Sequence, residues 1–117
     1  MTYKIIIAGS RNFNDYNLLD KICKKLITNN KMIEIVSGGA YGADKLGERY
    51  AKSNKLKVKV FKADWDRFGK SAGYRRNVKM AEYADALIAF WDGKSKGTFH
   101  MINIAKEKGI GVTVIDF

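Results

Sequence analysis

The chain has 117 residues, which suits one domain with its own hydrophobic core and leaves little room for a second. Hydrophobic residues make up 46% of it and charged residues 29%, a mixture that excludes a disordered chain or a low-complexity fibre. Twenty-two Lys and Arg against twelve Asp and Glu give a net charge of +10, which favours anionic partners such as nucleotides, phosphates or nucleic acid.

Two features of the sequence predict a cytoplasmic protein with no membrane partner. The N-terminal residues lack the long apolar stretch of a signal peptide, and no apolar run approaches the roughly 20 residues that cross a bilayer. The single Cys23 cannot form an internal disulfide. Because Cys23 falls on the apolar stripe of a predicted helix, we expect a small buried hydrophobe there and not a nucleophile.

Short apolar runs alternate with segments of helical spacing along the chain. The apolar runs predict strands, the segments between them predict helices, and the polar residues 62–70 predict a loop. In chain order the predicted elements are a strand at 4–8, a helix at 15–28, a strand at 33–37, a helix at 43–53, a strand at 58–61, a helix from 71 or 72 to 83, a strand at 87–91, a helix at 98–108 and a strand at 112–116.

This alternation predicts an α/β fold. Strands that alternate with helices pair in parallel through right-handed crossovers. The predicted strands are apolar without clean alternation, as expected for strands that are covered on both faces. We therefore expect an open, doubly wound parallel sheet of five strands with helices on both faces, formed as a single domain by residues 1–117.

The loops of such a sheet differ in chemistry between its two edges. Ligands of doubly wound sheets bind outside the carboxyl ends of the strands. The loops that leave those ends are rich in glycine, hydroxyl and charged side chains, whereas the loops at the opposite edge, such as residues 29–32 and 109–111, are plain connectors. This asymmetry predicts a binding site at the carboxyl edge.

The candidate site consists of three glycine-bearing loops at that edge. Arg76 and Asn77, from the segment that follows the third strand, are included in it. Glycine lets backbone N–H groups approach an anion, a helix N-terminus adds partial positive charge, and Arg11 offers a planar fork for phosphate. The loops match neither the G-x-G-x-x-G fingerprint nor a Walker A loop, so tight turns and helix caps are the alternative interpretation. The candidate ligand-binding residues are Gly9, Ser10, Arg11, Ser37, Gly38, Gly39, Gly42, Asp44, Arg76, Asn77, Gly93, Ser95, Gly97 and Thr98.

Asp44 and three further side chains, those of His100, Trp65 and Trp91, have structural interpretations that compete with functional ones. Asp44, expected in the first turn of a helix, either stabilises the helix terminus or accepts a ribose hydroxyl. His100 is the only histidine and is expected to pack, since the helix dipole disfavours its charged form and no second histidine or cysteine pair accompanies it. We therefore expect no metal and no cofactor. Trp91 is expected at the core, and Trp65 either packs or stacks on a base.

Taken in order, the loop motifs resemble the SLOG superfamily, and most closely its branch of small proteins related to YspA and YpsA. The resemblance covers nearly the whole chain. The complete set of motifs in this order is more specific than any one of them. The motifs are Ala8-Gly9-Ser10-Arg11, Ser37-Gly38-Gly39-Ala40, Gly42-Ala43-Asp44, Asp64-Trp65, Ala72-Gly73, Arg76-Asn77 with Met80, Trp91-Asp92-Gly93, Ser95 and Gly97-Thr98.

The resemblance implies a Rossmann-like sheet that binds a nucleotide or an ADP-ribose-like small molecule. Relatives include the LOG enzymes, which cleave the bond between base and ribose phosphate, nucleotide sensors, and a DNA-processing protein that binds single-stranded DNA. Self-association among relatives implies a homodimer. The arginine and methionine of the LOG motif correspond to Arg76 and Met80, but its glutamates fall at His100 and Met101, which supply no carboxylate.

Three functions follow from these observations. The sequence predicts a sensor or sequestering module that binds a nucleotide or a nucleotide-derived ligand. The first alternative, which leaves open whether the chain is an enzyme, is a hydrolase or transferase such as one that cleaves an N-glycosidic bond, with Arg76 and Asp44 as candidate catalytic residues. The second alternative is nucleic-acid binding, which the charge favours and which predicts an affinity that falls steeply with salt.

Overall fold

The computed structural model describes residues 2–27 and 32–117, and within these ranges strands and helices alternate. The strands are β1 (Thr2–Gly9), β2 (Met32–Ser37), β3 (Lys57–Val60), β4 (Ala86–Trp91) and β5 (Gly111–Asp116). The helices are α1 (Tyr16–Leu26), α2 (Ala43–Ser53), α3 (Trp65–Phe68), α4 (Ala72–Tyr83) and α5 (Lys96–Glu107), with a 3-10 turn at Gly69–Ser71 before α4.

The five strands form one parallel sheet in the order β3-β2-β1-β4-β5. The chain builds the sheet outward from β1 to β3 and then returns to place β4 on the other side of β1. Because the order reverses between β1 and β4, the loops that leave these two strands diverge and open a crevice at the carboxyl edge. The predicted α/β, Rossmann-like, five-stranded parallel sheet is confirmed.

Two hydrophobic layers cover the central strands. Ile5 and Ile7 of β1 belong to the layer that includes residues of α1 and α2, whereas Ile6 and Ala8 belong to the layer that includes residues of α4 and α5. Neighbouring residues of a strand point to opposite faces, so an unbroken aliphatic run serves both layers. Cys23 is fully buried in the first layer, and this burial raises the pKa of its thiol to about 12.

The expectation that every strand is covered on both faces is wrong for β3. All four of its residues are exposed, because β3 lies at the edge of the sheet and pairs with β2 alone. Lys57 and Lys59 place positive charges on this edge, which discourages pairing with another chain. Strand order, which decides which strand is at the edge, is not encoded in the local pattern.

The predicted loop at 62–70 is also wrong, because this segment contains α3 and most of the 3-10 turn. Asp64 precedes α3, and its Oδ1 accepts a hydrogen bond of 3.1 Å from the Arg67 N–H. A side-chain cap of this kind satisfies a backbone donor that a short helix leaves free. It supports a helical turn that is too short for hydrophobic periodicity to reveal.

The other boundaries differ from the predictions by a few residues at most. Helix α1 follows the predicted cap Asp15, whose Oδ1 accepts from the Leu18 N–H at 3.0 Å, and it ends at Leu26. The predicted end at Thr28 and residues 29–31 of the connector lie outside the described residues. None of the helices in the described ranges combines the length and apolar character needed to cross a bilayer.

Candidate functional site

A cavity of about 470 Å³ lies at the crevice between the carboxyl ends of β1 and β4. We call it the crevice cavity. Its volume falls in the range of small-molecule sites, about 300–1,000 Å³. The predicted site residues that line it are Gly9, Ser10, Arg11, Asp44, Arg76, Asn77, Ser95, Gly97 and Thr98.

A second cavity of about 700 Å³ lies beside the first, towards β3. We call it the lateral cavity. The predicted residues Gly38 and Gly39 line it, together with Tyr41, whose side chain is strongly exposed. The residues that line both cavities are Arg11, Ala40, Trp65 and Arg76. The two cavities are therefore adjacent parts of one cleft.

Three predicted residues line neither cavity, namely Ser37, Gly42 and Gly93. Ser37 is buried, and its Oγ donates to Glu48 Oε2 at 2.6 Å and accepts from the Gly39 N–H at 3.0 Å. Gly42 has a positive φ of 80°, and a Cβ there would lie 2.4 Å from the Ser10 carbonyl oxygen. Ser37 and Gly42 thus hold the loop after β2 in place.

Ser10 joins the loops that follow β1 and β4. Its N–H donates to the Phe90 carbonyl oxygen at 2.9 Å, and its buried Oγ accepts from the Asp92 N–H at 3.1 Å. Three residues further on, Phe13 is buried and stacks on Phe90 with the ring centroids 4.7 Å apart. These contacts fix the floor of the crevice on the central strands.

Arg76 lies in the second turn of α4, inside the helix and not in the loop with which it was counted. Its Nη1 donates to the Gly38 carbonyl oxygen at 2.8 Å, and its Nε donates to Asn77 Oδ1 at 3.4 Å. Burial lowers the pKa of Arg76, the Asp44 charge opposes this change, and the Arg11 charge adds to it. Arginine stays charged despite this, so the cleft holds a fixed cation.

Gly38 lies where Asp44 and Arg76 approach each other. A Cβ on Gly38 would lie 2.7 Å from Asp44 Oδ2 and 3.0 Å from Arg76 Cζ. The contact at 2.7 Å is closer than a real Cβ tolerates, and the neighbours would have to move. Glycine fits here without displacing the carboxylate or the guanidinium, because it has no side chain to place between them.

Asp44 is 4% exposed and lies in the first turn of α2, where the sequence places it. Its Oδ2 accepts from the Ala40 N–H at 3.3 Å. Burial raises the pKa of this carboxyl to about 6, although the charge of Arg76 works in the opposite direction. A carboxyl group that lines a cavity and exchanges a proton near neutral pH is typical of functional sites.

Asn77 connects α4 with the start of α5. Its amide nitrogen donates to the Gly97 carbonyl oxygen and to Nδ1 of His100, both at 3.2 Å. Burial lowers the pKa of His100, which suits a ring nitrogen that accepts a hydrogen bond. The His100 ring packs on Tyr74 with the centroids 4.5 Å apart, in agreement with the packing role expected for it.

Several polar groups of the loop after β4 form hydrogen bonds that stabilise the conformation of the loop itself. Ser95 caps α5 by accepting from the Thr98 N–H at 3.4 Å, so of the two predicted hydroxyls it is Ser95 that acts as the cap. Asp92 Oδ1 accepts from the N–H groups of Lys94 and Ser95 at 2.9 Å each, and these bonds lower the pKa of Asp92. The capping interpretation therefore accounts for much of this loop.

Helix α4 contributes cavity residues that were not among the candidate ligand-binding residues, although Gly73 and Met80 belong to the motifs that carry the family resemblance. Gly73, Tyr74 and Met80 line the crevice cavity beside Arg76 and Asn77. They recur at three- and four-residue intervals, which places them on one helix face. Helical spacing counted from Arg76 could have identified them.

The tryptophans occupy different environments. Trp91 is half-buried, packs against the second hydrophobic layer and donates from Nε1 to the Ser95 carbonyl oxygen at 3.1 Å. Trp65 is 52% exposed and lines both cavities. Within residues 2–27 and 32–117 there is no group of three histidine, cysteine, aspartate or glutamate side chains that could hold a metal ion.

Comparison with known proteins identifies related sequences and folds. The model of the YspA, cpYpsA-related SLOG family matches residues 3–68. The Gene 61 protein of Mycobacterium phage D29 is 34% identical over an alignment of 116 residues, and the match covers 93% of each chain. Among solved structures, DNA processing protein A (DprA) from Streptococcus pneumoniae superposes with a TM-score of 0.81 at 21% identity, over 99% of this chain and 51% of that one. The chain thus spans about half the length of the DprA chain.

Proposed function

The chain belongs to the YspA, cpYpsA-related SLOG family, and from that premise we propose that it binds a nucleotide or a nucleotide-derived ligand, as a sensor or sequestering module. One observation carries the proposal. Glycine-bearing loops from distant parts of the sequence meet Arg11 and Arg76 around one cavity, at the point where the strand order reverses.

The chemistry of the cavity suits a sugar phosphate with a base. The Arg76 guanidinium is held by the Gly38 carbonyl oxygen and still has N–H groups for a phosphate. The Thr98 hydroxyl lies at the start of α5, where helix polarity favours anions. The half-exposed rings of Trp65 and Tyr74 supply apolar faces for a base.

Calorimetric titration with AMP tests this proposal. The Arg76→Ala variant should lose at least about tenfold in affinity, since it removes a charge-assisted contact with phosphate. Arg75→Ala is the matched control, because Arg75 is the neighbouring arginine on the same helix and lines neither the crevice cavity nor the lateral cavity. Equal affinities for the wild type and both variants would contradict the proposed site.

Asp44 supports a second candidate function, a hydrolase or transferase that acts on nucleotides. Its buried carboxyl lines the crevice cavity, and a group that titrates near neutral pH is suited to transfer a proton. Incubation with AMP and ADP-ribose, followed by chromatography for free base, tests this function. Release of base by the wild type and not by Asp44→Asn would support it.

The homodimer stays a prediction, and light scattering at several protein concentrations is the measurement that checks it. Nucleic-acid binding is favoured by the net charge of +10. It is compared with binding of small nucleotides in the experiment below.

A further inference from the structure

We propose that the cleft binds two nucleosides joined through phosphate, with one base in the crevice cavity, the other in the lateral cavity and the bridging phosphate between Arg11 and Arg76. This inference rests on the proposed nucleotide binding and names the class of ligand. It comes from the division of the cleft into two cavities that share a charged boundary.

The size of the cleft is the first argument. The crevice cavity has a volume of about 470 Å³ and the lateral cavity one of about 700 Å³. Each of them alone falls within the range of sites that enclose a small molecule. Because they share lining residues, the two cavities adjoin, and a ligand with two recognisable ends could place one end in each of them.

The charge at the shared boundary is the second argument. Arg11 and Arg76 both line the two cavities, and the Arg11 charge lowers the pKa of Arg76, as a nearby like charge does. Among the described residues, neither forms an ion pair with a carboxylate within 4.0 Å. Asp44 offsets one of the two charges at longer range, which leaves an excess of positive charge for a phosphate to neutralise.

The distribution of exposed aromatic rings is the third argument. Tyr74 is 43% exposed and lines the crevice cavity, whereas Tyr41 is 78% exposed and lines the lateral cavity. Trp65 lines both. Exposed aromatic rings beside cations are the elements with which proteins stack successive bases along a phosphate backbone. The cleft has one such ring on each side of its arginine pair.

Two sources could supply this chemistry. One is a soluble dinucleotide, joined by a phosphodiester or a pyrophosphate. The other is a step between two successive nucleotides of a single-stranded nucleic acid. Both place a base on each side of a bridging phosphate, so the same residues would recognise them.

The experiment compares four probes by calorimetric titration at one salt concentration and then repeats the titration of the preferred probe at several salt concentrations. They are AMP, the dinucleotide d(ApA), diadenosine 5′,5′-diphosphate, and a single-stranded dA oligomer of about ten nucleotides. At least one of the three two-base probes should bind at least about tenfold more tightly than AMP, because it engages the second ring in addition to the first.

Variants of Tyr41 assign that gain to the lateral cavity. Tyr41→Ala should weaken binding of the preferred two-base probe by about tenfold and leave AMP binding unchanged, since Tyr41 lines the lateral cavity and not the crevice cavity. Tyr41→Phe keeps the ring and should keep the affinity. Tyr41 is exposed, so neither change threatens the fold.

The outcomes separate the inference from the function on which it rests. If AMP binds as tightly as all three two-base probes, or if Tyr41→Ala leaves every affinity unchanged, the inference is wrong and nucleotide binding stands. If none of the four probes binds, the proposed function fails and the inference fails with it. Preference for the oligomer with a steep salt dependence identifies nucleic acid as the source, and preference for a free dinucleotide identifies a soluble ligand.

Discussion

The guanidinium of Arg76 donates a hydrogen bond of 2.8 Å to the carbonyl oxygen of Gly38, across 38 positions of the sequence. This bond fastens α4 to the loop after β2, so the cation of the cleft is oriented before any ligand arrives. Preorganisation of this kind reduces the entropy that binding would otherwise cost. The contact also makes the loop after β2 sensitive to changes at a single glycine.

Gly38→Ala should damage the site because its new methyl group would lie against Asp44 and Arg76. We expect a loss of about 1–3 kcal/mol in the free energy of unfolding, together with weaker AMP binding. Urea denaturation and calorimetry measure the two effects. Gly111→Ala is the control, since a Cβ there meets only the Ala86 side chain at an ordinary 3.8 Å. Equal stability of the two variants would show that the close approach at Gly38 is relaxed at little cost.

The stability of the protein should depend on the protonation of Asp44. The pKa of this carboxyl is raised from 3.8 to about 6 in the fold, so the folded state holds the proton more tightly than the unfolded chain does. Burial of the charged form therefore lowers stability progressively as the pH rises from about 4 to about 6, with a cost of about 3 kcal/mol above that range.

Asp44→Asn should remove that dependence, because asparagine is neutral and its oxygen still accepts from the Ala40 N–H. Urea denaturation of both proteins between about pH 4 and about pH 8 tests this expectation. The variant should gain stability relative to the wild type as the pH rises. Parallel stability curves would mean that Asp44 titrates at its ordinary pKa.

Ser10→Ala should loosen the crevice. The change leaves the half-buried Asp92 N–H without its acceptor, and loss of such a hydrogen bond costs about 1 kcal/mol. Hydrogen exchange should become faster at residues 92–95, and the midpoint of urea denaturation should fall. Ser53→Ala at the exposed end of α2 is the control and should change neither measurement.

Cys23 should be inert in the folded protein. Its side chain is fully buried and burial raises the pKa of the thiol to about 12, so almost no thiolate exists at neutral pH. A colorimetric thiol reagent should therefore react with one thiol per chain in urea and should react far more slowly in buffer. Rapid labelling of the native protein would contradict the packing of α1 against the sheet.

The sequence was sufficient for the features that depend on local pattern. Alternating strands and helices predicted the parallel sheet, and the glycine-rich segments that follow β1 and β2 were expected at its carboxyl edge, where Arg11 and Gly38 now lie. Features that depend on residues far apart were not predicted. The exposure of β3 follows from strand order, and the contact between Gly38 and Arg76 follows from how α4 packs.

Short elements escaped prediction for another reason. Helix α3 has four residues and is supported by the Asp64 cap, so no hydrophobic period marks it. The interpretation of residues 93–98 was limited by a different ambiguity, since a serine before a helix suits both a cap and a ligand contact. In the structure Ser95 acts as the cap, and Asn77 reaches this segment through the Gly97 carbonyl oxygen.

The pairing of β1 with β4 divides the sheet into two halves, one built before residue 61 and one after residue 85. The cleft draws Arg11 and Asp44 from the first stretch of chain and Thr98 from the second, and Arg76 of α4 lies in the segment that connects the two. A ligand bound in the cleft would therefore connect the two halves of the sheet across the paired strands β1 and β4. Binding of such a ligand should slow the separation of β1 from β4 more than the separation of either outer strand from its neighbour.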